Sequence, residues 1–252
     1  MKHKFNALEK TKFAGLAVVL ATSVLLSESA SAALVSGNAT FTLNGTWGPS
    51  FIAYYPTTFF DASFNTTAID NTTTGGTAIT GGAGTFVSPI NTNSTTTNYG
   101  GTIGTLQATT MDTSDSSVGQ IGLSGAFRLT TVGGPSPYLT TQDWYLKKVG
   151  GTWNLVDNSP GFGQNTFAQL VNVVDNLAGA GTLVGDLQLL PDAVNIINYT
   201  WGAFLGADAT KKTTTFGTLS IAPAAVPVPA ATWLFASGLF GLIGAARRNR
   251  SA

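Results

Sequence analysis

Apolar and polar residues alternate along most of the middle of the chain. Between Ala39 and Leu43 the alternation is carried by Phe41 and Leu43, and over Ile103–Met111 it sets Ile103, Thr105, Gln107 and Thr109 against Gly104, Leu106, Ala108 and Thr110. Ile121, Leu123, Gly125, Phe127 and Leu129 share a face at period two, opposite Ser124 and Arg128. Successive side chains of a strand point to opposite faces, so this spacing predicts half-buried strands. The sharpest local pattern is a hairpin, with Asp143–Val149 and Thr152–Val156 as strands and Gly150-Gly151 as the turn that needs positive φ. One face of its first strand would hold Trp144, Leu146 and Lys148, and the other Tyr145, Lys147 and Val149. Further strands are expected at Asp186–Leu190, Tyr199–Leu205 and Thr213–Ile221, while Gly75–Gly84 reads as loop.

One segment departs from this period. Phe167, Leu170, Val171, Val174 and Leu177 follow the i, i+3, i+4, i+7 spacing of an amphipathic helix, with Asn165 or Thr166 as N-cap and Gly179 as stop. Gln169–Val174 also fits a strand, and helix is the preferred reading. The middle of the chain therefore predicts a mainly β, β-sandwich-like body with one short helix.

Both ends are apolar in a different way. At the start, Lys2, Lys4, Lys10 and Lys12 precede an apolar run from Phe13 to Leu26, and Ser29-Ala30-Ser31-Ala32 puts small residues before Ala33. That is the plan of a secretory signal peptide cut after Ala32. At the other end, Pro227 and Pro229 lead into an uninterrupted apolar run from Ala230 to Ala246, closed by Arg247, Arg248 and Arg250. At about 1.5 Å per residue the run reaches about 25 Å as a helix, a little less than the hydrocarbon core of about 30 Å. Trp233 near one end and the arginines at the other suit the two headgroup regions. Gly238, Gly241 and Gly244 leave a small-residue stripe on which another helix can pack. The expected organisation is a signal peptide (1–32), an extracellular body rich in Thr, Asn and Gly (33–222), a Pro-rich spacer and motif (223–229), a single transmembrane helix (230–246) and a basic cytoplasmic tail (247–252).

Removing the ends changes the charge. The full chain sums to zero, but between Ala33 and Ala225 ten aspartates stand against five basic residues, which leaves the body at net −5. So few and such scattered Lys and Arg argue against nucleic acid as a partner. The only histidine is His3, both glutamates, Glu9 and Glu28, lie in the leader, and cysteine is absent. Ser-His-Asp and Cys-His nucleophiles therefore cannot be assembled in the body, and the usual zinc ligands are missing. No catalytic residue and no metal or cofactor is expected. Asp112-Thr-Ser-Asp115-Ser-Ser has oxygens for Ca2+ but lacks the order of an EF-hand loop, and it reads better as a turn rich in Asx and Ser hydrogen bonds. Gly81-Gly-Ala-Gly84 has no following Lys-Ser and is a poor phosphate loop. Asn-x-Ser/Thr triplets at Asn38, Asn44, Asn65, Asn71, Asn93 and Asn198 follow from the composition alone, whereas the Thr clusters invite O-linked sugar. Trp47, Tyr54, Tyr55, Trp144, Trp153 and Trp201 would stack on sugars if exposed, with an aromatic core as the preferred reading.

The tail also resembles a known signal. Val226-Pro-Val-Pro-Ala-Ala-Thr-Trp, the apolar run and Arg247-Arg-Asn-Arg250 are similar to the PEP-CTERM sorting signal in its variant with Val-Pro-Leu-Pro-Ala for Pro-Glu-Pro. The resemblance covers about a tenth of the chain, and Val228 stands where the namesake motif has Glu. It implies that Val226, Pro227, Val228 and Pro229 are the motif read by exosortase, a membrane cysteine transpeptidase, and that Arg247, Arg248 and Arg250 are the stop-transfer element. It further implies export through the Sec translocon, cutting by signal peptidase at Ala30, Ala32 and Ala33, and transient anchoring in the inner membrane. The destination would be the cell surface or extracellular matrix of a Gram-negative bacterium, in association with exopolysaccharide or biofilm. The other reading is a carbohydrate-binding or adhesive module held permanently by its C-terminal helix.

Overall fold

The computed structural model describes residues 33–48, 54–64, 69–70, 72–99, 102–131, 134–159, 164–190 and 214–223. The signal peptide up to Ala32, the strand expected at Tyr199–Leu205, the Pro-rich spacer after Pro223, the apolar run and the basic tail lie outside them. The chain divides after Ala33, and a compact body begins at Leu34. Its fold is mainly β, as the alternation predicts.

The main sheet is a closed antiparallel barrel. Its members are β1 (Gly37–Asn44), β4 (Ala83–Asn91), β7 (Ile121–Leu123), β10 (Tyr145–Val149), β11 (Thr152–Asp157), β12 (Asn165–Asn176), β13 (Thr182–Leu189) and β14 (Thr215–Pro223). Around the circumference they run β1-β14-β13-β12-β11-β10-β7-β4 and back to β1. A second sheet has the order β3-β2-β8-β9, formed by β3 (Thr77–Ala78), β2 (Tyr54–Phe60), β8 (Ala126–Thr131) and β9 (Gly134–Gln142). A two-stranded hairpin, β5 (Thr95–Tyr99) with β6 (Thr102–Leu106), stands apart from both sheets. The expected sandwich is thus corrected: instead of two open sheets face to face, the larger sheet closes on itself and loses its edges.

Each ring of residues around the lumen combines large side chains with small ones. Phe41 faces Phe86 on β4 and Leu219 on β14, and Gly185 follows on β13. In the next ring Leu43 lies beside Gly217, which faces Leu187. In the third, Ala39 sits between Ser88 and Ile221, with Leu183 beyond. The barrel is therefore packed with side chains to its axis.

The hairpin of β10 and β11 forms as expected. Gly150 and Gly151 take φ of 57° and 86°, and Lys148 pairs with Trp153 and Val149 with Thr152 across the turn. Leu146 and Trp153 face the core, and Lys147 and Val149 face water.

The helix expected over Phe167–Leu177 is not formed: all but the last of these residues belong to β12, and the helix is only α1 (Leu177–Ala180), ended by Gly181 in the left-handed region rather than stopped at Gly179. The cause is visible in the register. β12 slips against β11 next to Ala168, and against β13 between Val171 and Val174, where Asn172 has φ 52°. Each bulge shifts the side-chain parity by one, so Ala168 and Leu170 point inward before the second bulge and Val173 and Leu177 after it. The helical spacing comes from Val171 and Val174, apolar residues that lie off the inward face of the strand. Val174, which the helix would have buried, is 65% exposed.

The second sheet closes one region of the core. Phe59, Phe127 and Leu129 from one face join the barrel interior, while Phe60 and Ala126 from the opposite face form a small separate core with Ile69 and Phe64. Phe127 stacks within 5.0–6.0 Å, centroid to centroid, of Phe59, Phe86, Phe41 and Trp144. Trp144 continues through Phe167 to Trp47 and Phe216, at 5.2–5.3 Å spacings. Truncating the ring shared by most of these pairs leaves a large cavity. Phe127→Ala is expected to lower unfolding free energy by about 3–5 kcal/mol, measurable by urea denaturation followed by tryptophan fluorescence.

Candidate functional site

The sorting motif Val226, Pro227, Val228 and Pro229, the arginines Arg247, Arg248 and Arg250, and the small residues Ala30 and Ala32 lie outside the described residues. Ala33 is described and exposed. Of the aromatic residues proposed to stack on sugars, Trp47, Trp144 and Trp153 are buried in the barrel core, and Tyr55 packs against it. Their rings are spent on packing.

Aspartate has a repeated local task. Asp61, Asp70, Asp112, Asp115 and Asp157 each stand two residues before a Ser or Thr, and each carboxylate accepts both the backbone N–H and the hydroxyl of that residue, at Ser63, Thr72, Ser114, Ser117 and Ser159. These are Asx turns with the hydroxyl added. The Asp112–Ser117 stretch contains two in succession, as its sequence suggests. At Asp70 the hydroxyl and N–H of Thr72, with those of Thr73, hold the carboxyl below its usual range, and Ser117 does the same at Asp115. Among the described residues no group of three or more His, Cys, Asp or Glu side chains is placed to hold a metal ion.

A second cluster ties this loop to the barrel. Lys148 donates to Asp175 at 3.0 Å, Trp153 Nε1 donates to the same oxygen at 3.2 Å, and Ser116 reaches it at 3.0 Å. The Lys148 ammonium also lies 5.6 Å from the Trp153 ring centre. Burial pushes Asp175 up, but hydrogen bonds from Lys148, Ser116, the Leu177 N–H and Trp153 outweigh it, and the carboxyl ends below its usual range.

The most unusual chemistry lies where the β5–β6 hairpin meets the barrel. Asp143, between β9 and β10, is fully buried and has φ 56°, a left-handed conformation that Asp tolerates better than most residues. Thr97 of β5 donates to its two oxygens at 2.9 and 3.2 Å, and the Thr105 N–H of β6 donates as well. Gly104 lies directly over it. A Cβ there would stand 2.0 Å from Asp143 Oδ2, 2.9 Å from Thr97 Oγ1 and 3.0 Å from Gln142 Nε2.

Asp157, at the end of β11, belongs to the same region. It is held by Ser159, whose hydroxyl also accepts the Gln142 N–H at 2.9 Å. Burial pushes Asp143 up to about 6, against the hydrogen bonds from Thr97 and Thr105. Burial pushes Asp157 up to about 7, against those from Ser159 and Gln142, and the Asp143 charge adds to the rise. Sequence reasoning misses this pair. The Asp-x-Ser spelling at Asp157 signals a turn, but nothing local to Asp143 signals burial.

No family model, no curated protein and no solved structure matches this chain. The chemistry of the site therefore rests on its own geometry. Two carboxyls with hydroxyl and backbone N–H partners form a polar knot, and among the described residues no basic group is shown in contact with either. Because Gly104 touches the carboxylate, Gly104→Ala is expected to displace the hairpin and cost about 1–3 kcal/mol of stability. Chemical denaturation measures the loss, and since Gly104 is not among the positive-φ glycines the cost reports the close approach rather than backbone strain.

Proposed function

We propose that this is an exported, non-enzymatic protein of the cell surface or extracellular matrix, delivered by a signal peptide and sorted by its C-terminal tail. The observation that carries the reading is the order of the tail: a Pro-rich breaker at Pro227 and Pro229, an apolar run, then three arginines. A helix of that greasiness enters the bilayer, and the cost of drawing Arg247, Arg248 and Arg250 through lipid arrests the chain with Pro227–Pro229 on the outer side. An exosortase would then release the body from the anchor.

Two features of the body support a structural role. Phe, Trp and Leu side chains fill the barrel core. Its strands β1, β4 and β14 contain no charged residue, and Thr40, Thr42, Thr85, Thr218 and Ser220 stand opposite one another on the outer side of adjacent strands. An uncharged, hydroxyl-bearing surface suits a neutral, hydrated polymer such as exopolysaccharide, and its threonines are acceptors for O-linked sugar. Burial of Trp47, Trp144 and Trp153 weighs against the anchored sugar-binding module.

Replacing Arg247, Arg248 and Arg250 together by Ser is expected to release unprocessed chains into the medium. Intact mass of the wild-type product should correspond to a body lacking both Met1–Ala32 and the C-terminal run, and any excess over the bare polypeptide reports attached sugar. A product that keeps its arginines, or unchanged fractionation of the triple variant, would overturn the sorting mechanism.

A further inference from the structure

The body has no histidine, cysteine or glutamate, so a body side chain that titrates between pH 5 and 8 has to be one that does not ordinarily do so. The Asp143–Asp157 knot supplies such groups. Both carboxyls are buried, the Asp143 charge raises Asp157, and among the described residues no basic group is shown in contact with either. Arg128 on β8, the neighbour of β9, donates instead to Asp70, Thr73 and Thr58. β5 and β6 carry no charged residue, β9 none, and β11 only Asp157 itself. On β10, Lys147 is exposed and Lys148 is committed to Asp175. Burial raises the Tyr145 hydroxyl above its usual range.

The unpartnered polar atoms of the neighbouring sequence are mixed: among the described residues Gln142 Oε1 is a buried acceptor, Thr141 Oγ1 can accept or donate, and Trp144 Nε1 is a buried donor. The Thr97 and Thr105 donors favour an ionised Asp143, but burial outweighs them. What stands against two bare carboxylates here is their burial without a counter-charge. The hairpin is the element that feels the difference. It belongs to neither sheet, and Thr97, Gly104 and Thr105 bring it directly against Asp143.

We infer that the Asp143–Asp157 pair is a proton-held latch for the β5–β6 hairpin, docked while the pair keeps its protons and loosened once both carboxyls ionise. The direction follows from linkage. Values raised to about 6 and about 7 mean that the folded body holds protons the unfolded chain releases near 3.8. The contribution is complete in acid, declines as pH rises through the folded values, and is gone above them. This is the reverse of Asp70, Asp115 and Asp175, whose lowered values make acid unfavourable. The body is thus tightest in a mildly acidic medium and opens its hairpin in an alkaline one.

Hydrogen exchange across Thr95–Leu106, corrected for intrinsic rates, tests this on the full chain in detergent. Wild-type protection is expected to fall about tenfold or more from pH 5 to pH 8, because a carboxyl that binds its proton ten times more tightly when docked weakens docking by that factor on ionising. Asp143→Asn with Asp157→Asn mimics the neutral pair and should be equally protected at both pH values, and His3→Gln should behave as wild type. If the double variant does not fold, the infrared carbonyl band of protonated carboxyl decides: it should be present in wild type at pH 5 and vanish by pH 8. Wild-type protection that does not change with pH, a pH-dependent double variant, or absence of that band would overturn the latch. Recovery of protection at pH 8 on adding Ca2+ alone would also overturn it, since the pair would then be a cation site.

Discussion

The structure depends on the packing of aromatic rings across the junction of its two sheets. Phe127 belongs by hydrogen bonding to the second sheet, yet its ring lies among Phe41, Phe86 and Trp144 of the barrel region. With no disulfide available, burial of such rings is the main force holding the sheets to one another. The connection is also covalent. β7 and β8 form one limb, and β9 and β10 the other, of a single long hairpin whose lower part lies in the barrel and upper part in the second sheet. Gly122 pairs with Tyr145 and Ala126 with Gln142, so the first limb holds one residue more than the second across the bend. Ser124 uses the slack to bond away from the hairpin, its N–H donating to Pro89 and its carbonyl accepting from Ser88.

Acidic residues in this charge-poor body serve mainly as local staples. An Asp that binds the N–H and hydroxyl two residues on fixes a turn without long-range contacts, which suits a chain whose loops are crowded with Ser and Thr. Among the described residues, most carboxylates have oxygens occupied by immediate neighbours.

How much of this is legible in the sequence depends on how local the signal is. Gly150-Gly151 between two strand-like runs specifies its own turn, and the inward faces of Phe41 with Leu43 and of Ile121 with Leu123 follow from alternation. The Asp112–Ser117 turns are legible from their spelling, and the same spelling recurs at Asp61, Asp70 and Asp157 with the same outcome. Closure is not legible. It is completed by the three-residue strand β7, which meets β4 only at Ile90 with Leu123 and Asn91 with Gly122, and by β1 reaching β14 across nearly the whole body. Such pairings leave no trace in a local window. In β12 the bulges hide the period of two, and the apolar Val171 and Val174, which lie off the inward face, complete the spacing of a helix with Phe167, Leu170 and Leu177.

The buried carboxyls have the same origin as the bend. To leave the second sheet and enter the barrel, the β9–β10 limb must turn sharply, and the residue that takes the left-handed conformation is Asp143. Asp is one of the few side chains that accept that backbone at low cost, because its short carboxyl bonds locally. Glycine would serve the backbone equally well but would give the β5–β6 hairpin nothing to hold, since Thr97 and Thr105 donate to the Asp143 carboxyl. The position therefore asks for a residue that is geometrically permissive and hydrogen-bonding at once. Asn meets both demands without a titrating group, so an Asp there adds proton sensitivity that the bend itself does not require. Asp157 strengthens the effect, because its own turn with Ser159 needs a carboxyl or amide oxygen but not a second ionisable group beside the first. Two acids where two amides would satisfy the geometry make the site responsive to pH as well as structural.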